Sequence, residues 1–250
     1  TDTIQFGDEW VGMMATYDFM TTNAAALAEQ KKANIKYFAN YTTGPTQLLT
    51  KGKPVMAAAD LDGLTIRATG AFVPALESKG ASTVSVSQPK VYEALSNGSV
   101  DGSTTYYYVV KAYKQYEVSN YITELNMGQV LAFGIGMNMN TYKSLTANQQ
   151  KLVDDLGLEF TQYVSEKMFQ SRTQVRAELE AGIDGHKIVV VQPSDALRAS
   201  LVAIANDDVA TWKSKAADKG LDGDAVYGAF EAMVAKYSAE RDEKGYPWDR

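Results

Sequence analysis

Apolar and polar positions alternate with two periods across residues 60–113, and the change of period predicts strands followed by helices. Leu64 and Ile66 share one face of a strand by the period of two, and this strand ends at Arg67. Residues 70–80 then show helical spacing and are closed at both ends by glycine. This stretch therefore predicts one strand and one helix in succession.

The same order repeats in the residues that follow. Residues 83–87 alternate as a second strand, and the helix after it has Pro89 in its first turn and ends near Asn97. Residues 99–101 are predicted as a short third strand, from which Gly102 leads into another helix. Strands that alternate with helices of about ten residues are typical of right-handed β-α-β units in a parallel sheet.

Three sets of polar groups fall where the strands of such a sheet end. They are the guanidinium of Arg67, the amide of Gln88 and the hydroxyls of residues 103–105. Ligands of parallel sheets sit beyond the carboxyl ends of the strands, so three loops are expected to converge on one small site. A guanidinium, an amide and hydroxyls bind an anion well and catalyse little. The sequence therefore predicts an anion-binding site, with a structural salt bridge of Arg67 as the alternative.

Aromatic residues accompany this predicted site. Tyr106, Tyr107 and Tyr108 follow it in a segment of helical character, and helical spacing lets at most two of them face one pocket. Trp10 lies in a stretch that the pattern does not assign. It is interpreted as core in preference to a pocket wall, because buried aromatic residues are mostly packing.

Further elements are predicted on both sides of the central units. A helix of residues 24–32 and a strand of residues 35–41 precede them, and strands of residues 121–123 and 130–139 follow. Two glycines interrupt the last of these strands. Glycines inside a strand mark a bulge, a bend or the close approach of another group. This strand therefore either crosses between two lobes beside a ligand or packs tightly, and the pattern leaves both open.

The capping-box pattern of Thr146 and Gln149 opens a helix that runs to about Leu179. At 1.5 Å per residue this helix is roughly 50 Å long, enough to back two lobes. A short strand at residues 187–192 and two helices complete the chain. One side of the long helix is apolar and is predicted to face the core; it carries Leu152, Val153, Leu156, Phe160, Tyr163, Val164 and Met168.

Composition excludes several classes of partner. The chain has 250 residues, of which 45% are hydrophobic, and this is enough for one large core or for the two modest cores that we expect. The net charge of −6 disfavours nucleic acid and anionic membranes, since neither attracts an acidic protein. Cysteine is absent, which excludes disulfides and thiolate chemistry. No apolar run reaches the roughly 18–20 residues of a membrane span, and the first residues do not resemble a signal peptide, so we expect a processed chain or one that lacks its front end.

The sequence contains no recognisable catalytic or metal-binding motif. The single histidine, His186, has no neighbouring ligand at metal spacing, and no serine–histidine pair or phosphate-binding loop occurs. The acidic pair Asp154 and Asp155 occupies adjacent helical positions and is interpreted as a solvated face. The sequence therefore predicts no metal, no cofactor and no enzyme activity.

Several motifs, taken in order, resemble one family. Residues 53–70 read KPV-x4-DLDGLTIRATG, residues 76–82 LESKGAS, residues 88–102 QPKVYEALSNGSVDG and residues 113–123 YKQYEVSNYIT. The helix start LTANQQKLV and the ending GYPWDR follow. From about Lys51 to its end, the chain resembles the solute-binding proteins of TRAP transporters, the DctP type.

The resemblance implies an α/β protein of two lobes, joined by crossing hinge strands and a long lobe-spanning helix, that closes over a small organic acid in the periplasm. It implies TRAP membrane subunits as partners, without direct insertion into the membrane. The implied division is residues 1–62 for part of lobe one, 63–122 for the α/β units of lobe two, and 123–250 for the crossing strands, the long helix and the C-terminal helices. Family members also carry opening strands and a helix ahead of the region matching Trp10, so the chain is expected to be a fragment or to have those parts supplied elsewhere.

The resemblance also implies roles for single residues. The family's carboxylate-binding arginine stands in the motif Gly-Leu-x-Ile/Leu-Arg, which here ends at Arg67. Gln47 falls at a second ligand-facing position that is often arginine in sialic-acid binders. Gln88 falls where an aromatic residue often stands, and Thr105 where those binders carry asparagine. These departures argue against sialic acid as the ligand and leave a carboxylate ligand open.

An apolar wall is expected beside the carboxylate. The sequence offers one tyrosine from residues 106–108 for it, together with Phe133 or Trp10. The main hypothesis is thus a periplasmic protein that captures a small carboxylate for a membrane permease. The alternatives are the ligand-sensing module of a receptor and, less favoured because no nucleophile–base pair is visible, an enzyme on the same scaffold.

Overall fold

The computed structural model describes residues 2–3, 7–130 and 133–250 of the chain. In chain order the strands are β1 (Asp2–Thr3), β2 (Ile35–Tyr41), β3 (Thr46–Thr50), β4 (Thr65–Arg67), β5 (Ser82–Val84), β6 (Gly102–Thr105), β7 (Tyr121–Met127), β8 (Gln129–Val130), β9 (Phe133–Asn138) and β10 (Val189–Val191). The α-helices are α1 (Glu9–Thr22), α2 (Ala24–Lys32), α3 (Phe72–Glu77), α4 (Val91–Ser96), α5 (Tyr107–Ala112), α6 (Met139–Ser144), α7 (Ala147–Ala181), α8 (Asp195–Ala217) and α9 (Gly223–Lys244). Short 3-10 helices lie at Ala58–Leu61, Gln88–Lys90, Gln115–Glu117 and Pro247–Asp249.

Six strands form one mixed sheet in the order β10-β7-β3-β6-β4-β5. β4 lies parallel to both β5 and β6, whereas β3 runs antiparallel to its neighbours β6 and β7. The parallel β-α-β units predicted from the central pattern are therefore confirmed. The carboxyl ends of β4, β5 and β6 all lie at the same edge of this large sheet.

The third strand of these units begins later than predicted. The sequence places it at residues 99–101, but the structure has β6 at Gly102–Thr105, so Gly102 opens the strand and does not lead into a helix. All four residues of β6 are buried, and none is apolar enough to show alternation, so the period of two could not reveal it. A Cβ atom on Gly102 would overlap the carbonyl oxygen of Leu49 on β3, so the pairing of these strands requires glycine here.

β2 and β9 form a separate antiparallel pair, the small sheet. The strand predicted at residues 35–41 is confirmed by β2. Of the strand predicted at residues 130–139, the structure contains β9 and the end of β8, and residues 131–132 lie outside the described residues. The chain passes from the small sheet to the large one at residues 42–45, and it returns to the small sheet between β7 and β9.

The long helix α7 begins with the predicted capping box, in which the Thr146 hydroxyl accepts a hydrogen bond from the backbone N–H of Gln149. Its first half packs against α1 and β2, and its second half reaches α5 beside the large sheet. A Cβ atom on Gly157 would overlap the carbonyl oxygen of Phe38, so α7 touches the β2 backbone directly. The helix therefore connects the small sheet to the large one, as predicted.

The buried face of α7 differs from the predicted apolar face. Leu152 and Tyr163 remain 56% and 58% exposed, while the small residues Gly157, Thr161 and Ser165 are buried. The close approach to β2 leaves room only for small side chains, and polar Thr161 is satisfied there because its hydroxyl accepts a hydrogen bond from a backbone N–H of β2. Close backbone packing thus overrides the apolar periodicity in this helix.

Three clusters of buried apolar side chains hold the elements together. The first lies between the large sheet, α3 and α8, and the second between the other face of that sheet, α4, α5 and the end of α7. The third joins α1 to α9. β3, which precedes residue 62, lies inside the large sheet, and the division of the chain at residues 62 and 122 stays a prediction. Within the described ranges, no helix is both long and apolar enough to cross a membrane.

Candidate ligand-binding site

Arg67 stands at the carboxyl end of β4, where the sequence predicts it. Its side chain is half-buried, and its Nε donates a hydrogen bond of 2.9 Å to the carbonyl oxygen of Val86. Its Nη1 donates a bond of 3.3 Å to the carbonyl oxygen of Thr104. These acceptors belong to the segment after β5 and to β6, so the guanidinium lies where the three strand ends meet.

The charge of Arg67 has no protein counter-ion in the described part of the chain. Arg172, Arg176 and Arg241 each pair with a carboxylate, whereas Arg67 contacts only backbone carbonyls. Burial lowers the pKa of Arg67 below its usual value, and the neighbouring Tyr106 partly opposes this effect. A cation that has lost hydration without gaining an anion is stabilised by any carboxylate that reaches it.

Gln88 begins the 3-10 helix that follows β5. Its Nε2 atom is buried and has no hydrogen-bond partner, so it is a free donor close to the strand ends. Thr105 ends β6 and is almost completely buried, and its hydroxyl lies 3.4 Å from Oε1 of Gln115, to which it donates. The Thr105 hydroxyl is thus used within the protein, and the ligand contacts inferred for Gln88 and Thr105 stay predictions.

Gln47 lies in the middle of the large sheet and is fully buried. Its Nε2 donates to the carbonyl oxygen of Pro45 at 3.1 Å and to Oδ1 of Asn126 at 2.8 Å. Its Oε1 accepts from the backbone N–H of Asn126 at 3.1 Å. Both amide hydrogens are therefore engaged within the protein, and the ligand contact inferred for Gln47 stays a prediction that this conformation does not favour.

Two stacked aromatic pairs lie near the strand ends. Tyr106 and Tyr108, which follow β6, stack with ring centroids 5.7 Å apart and planes 8° apart. Tyr41 at the end of β2 and Phe133 at the start of β9 stack at 4.9 Å and 11°, and both are about two-fifths exposed. Burial raises the pKa of Tyr108, with smaller contributions from Tyr106 and Tyr41. The rings that follow β6 thus lie near those of the small sheet, and the ligand contact expected of Phe133 stays a prediction.

Two residues expected at the site instead lie in the core. The Tyr107 side chain is 2% exposed, and its hydroxyl donates to Oε1 of Glu124 at 2.9 Å, so it turns away from its neighbours Tyr106 and Tyr108. Trp10 is equally buried on α1, where its ring packs edge-on against Tyr237 at 5.4 Å. The preferred interpretation of Trp10 as core therefore agrees with the structure, and Tyr107 is not a wall residue.

One charged residue of this region escaped the sequence analysis. Glu9 on α1 is completely buried, and its Oε1 lies 2.9 Å from Nε of Arg172 on α7. Burial raises the pKa of Glu9 from 4.5 to about 7, although Arg172 acts to lower it. No motif identifies Glu9, because the residues around it show no clear hydrophobic periodicity and its partner, Arg172, lies far along the chain. In the described residues, no group of histidines and carboxylates could hold a metal ion.

A half-buried arginine at the ends of parallel strands, near aromatic rings that follow the strands of both sheets, is an arrangement expected of an α/β protein that binds small ligands. The model of the bacterial extracellular solute-binding proteins, family 7 (DctP), matches residues 14–215. The chain belongs to this family. The fold class predicted from the sequence is confirmed, since solved structures of TRAP solute-binding proteins superpose on nearly all of it.

Three similar proteins illustrate the match. A TRAP periplasmic solute-binding protein of Desulfovibrio salexigens is 29% identical, with a TM-score of 0.80 over 97% of this chain and 72% of that one. A marine metagenome TRAP protein specific for aromatic acids, solved with 3-hydroxybenzoate, is 25% identical, with a TM-score of 0.78 over 94% and 73%. A curated solute-binding protein of Roseobacter denitrificans is 24% identical over 60% of this chain. This chain spans 46% of that relative's length.

Proposed function

We propose that this chain is the periplasmic solute-binding component of a TRAP transporter, which captures a small organic carboxylate and delivers it to the membrane subunits. The observation that carries the proposal is the half-buried guanidinium of Arg67, which has no carboxylate partner in the described residues. Two backbone carbonyls hold its Nε and Nη1, so its orientation is fixed before a ligand arrives. A fixed guanidinium binds a carboxylate with directional, charge-assisted hydrogen bonds.

The aromatic pairs support an aromatic acid as the ligand. Tyr106 lies close enough to Arg67 to influence its pKa, and it stacks on Tyr108. A ligand whose carboxylate meets Arg67 would therefore have a flat apolar surface beside the rest of its skeleton. The structural relative solved with 3-hydroxybenzoate supports the same class of ligand. In this proposal Gln88 supplies a further hydrogen-bond donor to the ligand, while Gln47 and Thr105 stabilise the site through their hydrogen bonds within the protein.

Closure of the protein around the ligand follows from where these groups reside. Arg67 and Tyr106 belong to the large sheet, whereas Tyr41 and Phe133 belong to the small one. A ligand bound between them would hold the two sheets together and lose its contact with water. Exclusion of water strengthens the ion pair with Arg67, because the local dielectric constant falls.

The proposal is tested by replacing Arg67 with lysine, which keeps the charge and removes the planar fork. Titration calorimetry with a panel of aromatic and aliphatic acids should show at least about a tenfold loss of affinity in Arg67→Lys. Arg198→Lys is the matched control, because Arg198 also donates to backbone carbonyls but lies on α8, with Leu125 and Glu124 as its acceptors. Equal affinities in the two variants would remove Arg67 from the anchoring role and with it the proposed function.

A further inference from the structure

The Glu9 carboxylate is a buried group whose hydrogen bonds are incomplete. In the described part of the chain, neither of its oxygens accepts a hydrogen bond from another residue. Nε of Arg172 lies 2.9 Å from Oε1, but this nitrogen is itself unsatisfied, so the contact is an ion pair in which the N–H is not directed at the oxygen. Buried polar groups without partners are rare and costly, and each requires an explanation.

Two neighbouring side chains also carry a buried polar atom without a partner in the described residues. One is Trp10, the residue next to Glu9, through its Nε1. The other is Gln129, whose Nε2 donates to the carbonyl oxygen of Thr43 and whose Oε1 has no donor among the described residues.

Glu9 is adjacent to the aromatic part of the candidate site. A Cβ atom placed on Gly44 would lie 3.3 Å from Oε1 of Glu9 and 3.8 Å from Cε1 of Tyr108. The carboxylate and the tyrosine ring are therefore neighbours across the backbone of Gly44. Because residue 44 is glycine, both groups can approach its backbone closely.

The stacked tyrosines connect Glu9 to Arg67. Tyr108, next to Glu9, stacks on Tyr106, and Tyr106 acts electrostatically on Arg67. One end of the aromatic surface thus carries an unpaired guanidinium and the other end a carboxylate that lacks hydrogen-bond donors. This arrangement is complementary to a flat acid that carries, besides its carboxylate, a hydroxyl group on its ring.

We infer that Glu9 is a specificity-determining residue, which accepts a hydrogen bond from a hydroxyl group of an aromatic acid whose carboxylate is bound by Arg67. The inference rests on the proposed function and deepens it, since it names the chemical feature by which ligands are selected. Above its pKa of about 7 the Glu9 carboxylate is ionised, and a hydroxyl group that donates to it then makes a strong charge-assisted hydrogen bond. An analogue without the hydroxyl leaves the buried carboxylate unsatisfied, and sites of this kind reject such analogues strongly.

Three closely matched acids test this inference on the unmodified protein. Titration calorimetry should show that 3-hydroxybenzoate binds at least about tenfold more tightly than benzoate. The third ligand, 3-methoxybenzoate, keeps the oxygen but cannot donate a hydrogen bond, and it should bind no better than benzoate. If 3-methoxybenzoate and 3-hydroxybenzoate bind equally well, donation to Glu9 is refuted even if no variant of Glu9 can be prepared.

Variants then assign the preference to one residue. Glu9→Leu, which removes both acceptor oxygens, should reduce the preference for 3-hydroxybenzoate over benzoate to less than about threefold. Asp18→Asn is the matched control on the same helix, because the Asp18 carboxylate is occupied by Lys236 and Tyr237, and it should keep the preference. A preference that survives in Glu9→Leu overturns the assignment.

The outcomes separate this inference from the proposed function. If the native protein binds benzoate and 3-hydroxybenzoate equally, and Arg67→Lys weakens both, the role of Glu9 is refuted and the carboxylate-binding function stands. If Arg67→Lys binds both acids as tightly as the native protein, the anchoring role of Arg67 is refuted first. If the native protein binds neither acid, the aromatic-acid ligand and the role of Glu9 are both refuted.

Discussion

The buried carboxylate of Glu9 should make the stability of the protein depend on pH near neutrality. Burial raises the pKa of Glu9 to about 7 in the folded protein, whereas its ordinary value is 4.5. Between these two values the folded state therefore holds a proton that the unfolded state has lost. The stabilisation is fully present below the lower value and disappears as the pH rises through the higher one. The protein should thus become less stable from mildly acidic to mildly alkaline pH.

The size of the effect follows from the shift. The pKa of Glu9 in the folded protein and its ordinary pKa differ by 2.5. Since one pKa unit is about 1.4 kcal/mol, this difference corresponds to roughly 3 kcal/mol over the whole titration. About two-thirds of this falls between about pH 5.5 and about pH 8, so the free energy of unfolding should decrease by about 2 kcal/mol across that range. The charges that face Glu9 are Arg172 on α7 and Asp8 beside it, and their opposing effects on its pKa are included in this shift.

Urea unfolding, followed by tryptophan fluorescence at several pH values without ligand, measures the effect. Glu9→Gln cannot titrate, so the difference in pH dependence between this variant and the native protein isolates the contribution of Glu9. We expect the native protein to lose about 2 kcal/mol more than the variant between the two pH values. Parallel pH profiles for the two proteins would show that Glu9 does not titrate in this window and would refute the reasoning.

Two further predictions concern packing and buried hydrogen bonds. Gly157→Ala should destabilise the protein by at least about 2 kcal/mol, because the new Cβ overlaps the carbonyl oxygen of Phe38. Gly228→Ala in α9 is the control, because no atom lies within 4 Å of the Cβ it would add, and it should leave the urea midpoint unchanged or raise it. Glu124→Ala should cost about 3–5 kcal/mol, since three side chains donate to this carboxylate. Glu178→Ala is the control, because the ion pair of Glu178 with Lys111 is solvent-accessible, and it should change the stability little in the same unfolding assay. A Gly157→Ala or Glu124→Ala variant as stable as its control would contradict the corresponding contact.

Local patterns were enough to locate Arg67. The alternation of Leu64 and Ile66 defines the strand, and the glycine after it ends the strand, so the position of Arg67 at a strand end follows from adjacent residues alone. The parallel arrangement of β4, β5 and β6 follows in turn from the helices between them. Features that depend on residues close in sequence could therefore be predicted before the structure was known.

Features that depend on contact between distant elements could not. The apolar side of α7 suggests a core face, but contact with β2 selects Gly157 and Thr161 and leaves Leu152 more than half exposed. β6 was misplaced for a similar reason, since its small polar residues are buried only because strands and helices cover them from both sides. Periodicity reports which residues are apolar, and it does not report which face another element approaches.

Glu9 shows the same limit at the candidate site. An acidic residue in the first turn of a helix is ordinary, because the helix dipole favours negative charge there, so the sequence gives no reason to single it out. In the structure, the attraction of Arg172 does not prevent burial from raising its pKa, so the lost hydration of this carboxylate outweighs the nearby positive charge. The lost hydration of the Glu9 carboxylate underlies both the expected pH dependence of stability and the proposed selectivity for a hydroxyl group. Glu9→Leu removes both the titrating group and the hydrogen-bond acceptor, so measuring stability and ligand selectivity in this variant tests whether both effects depend on Glu9.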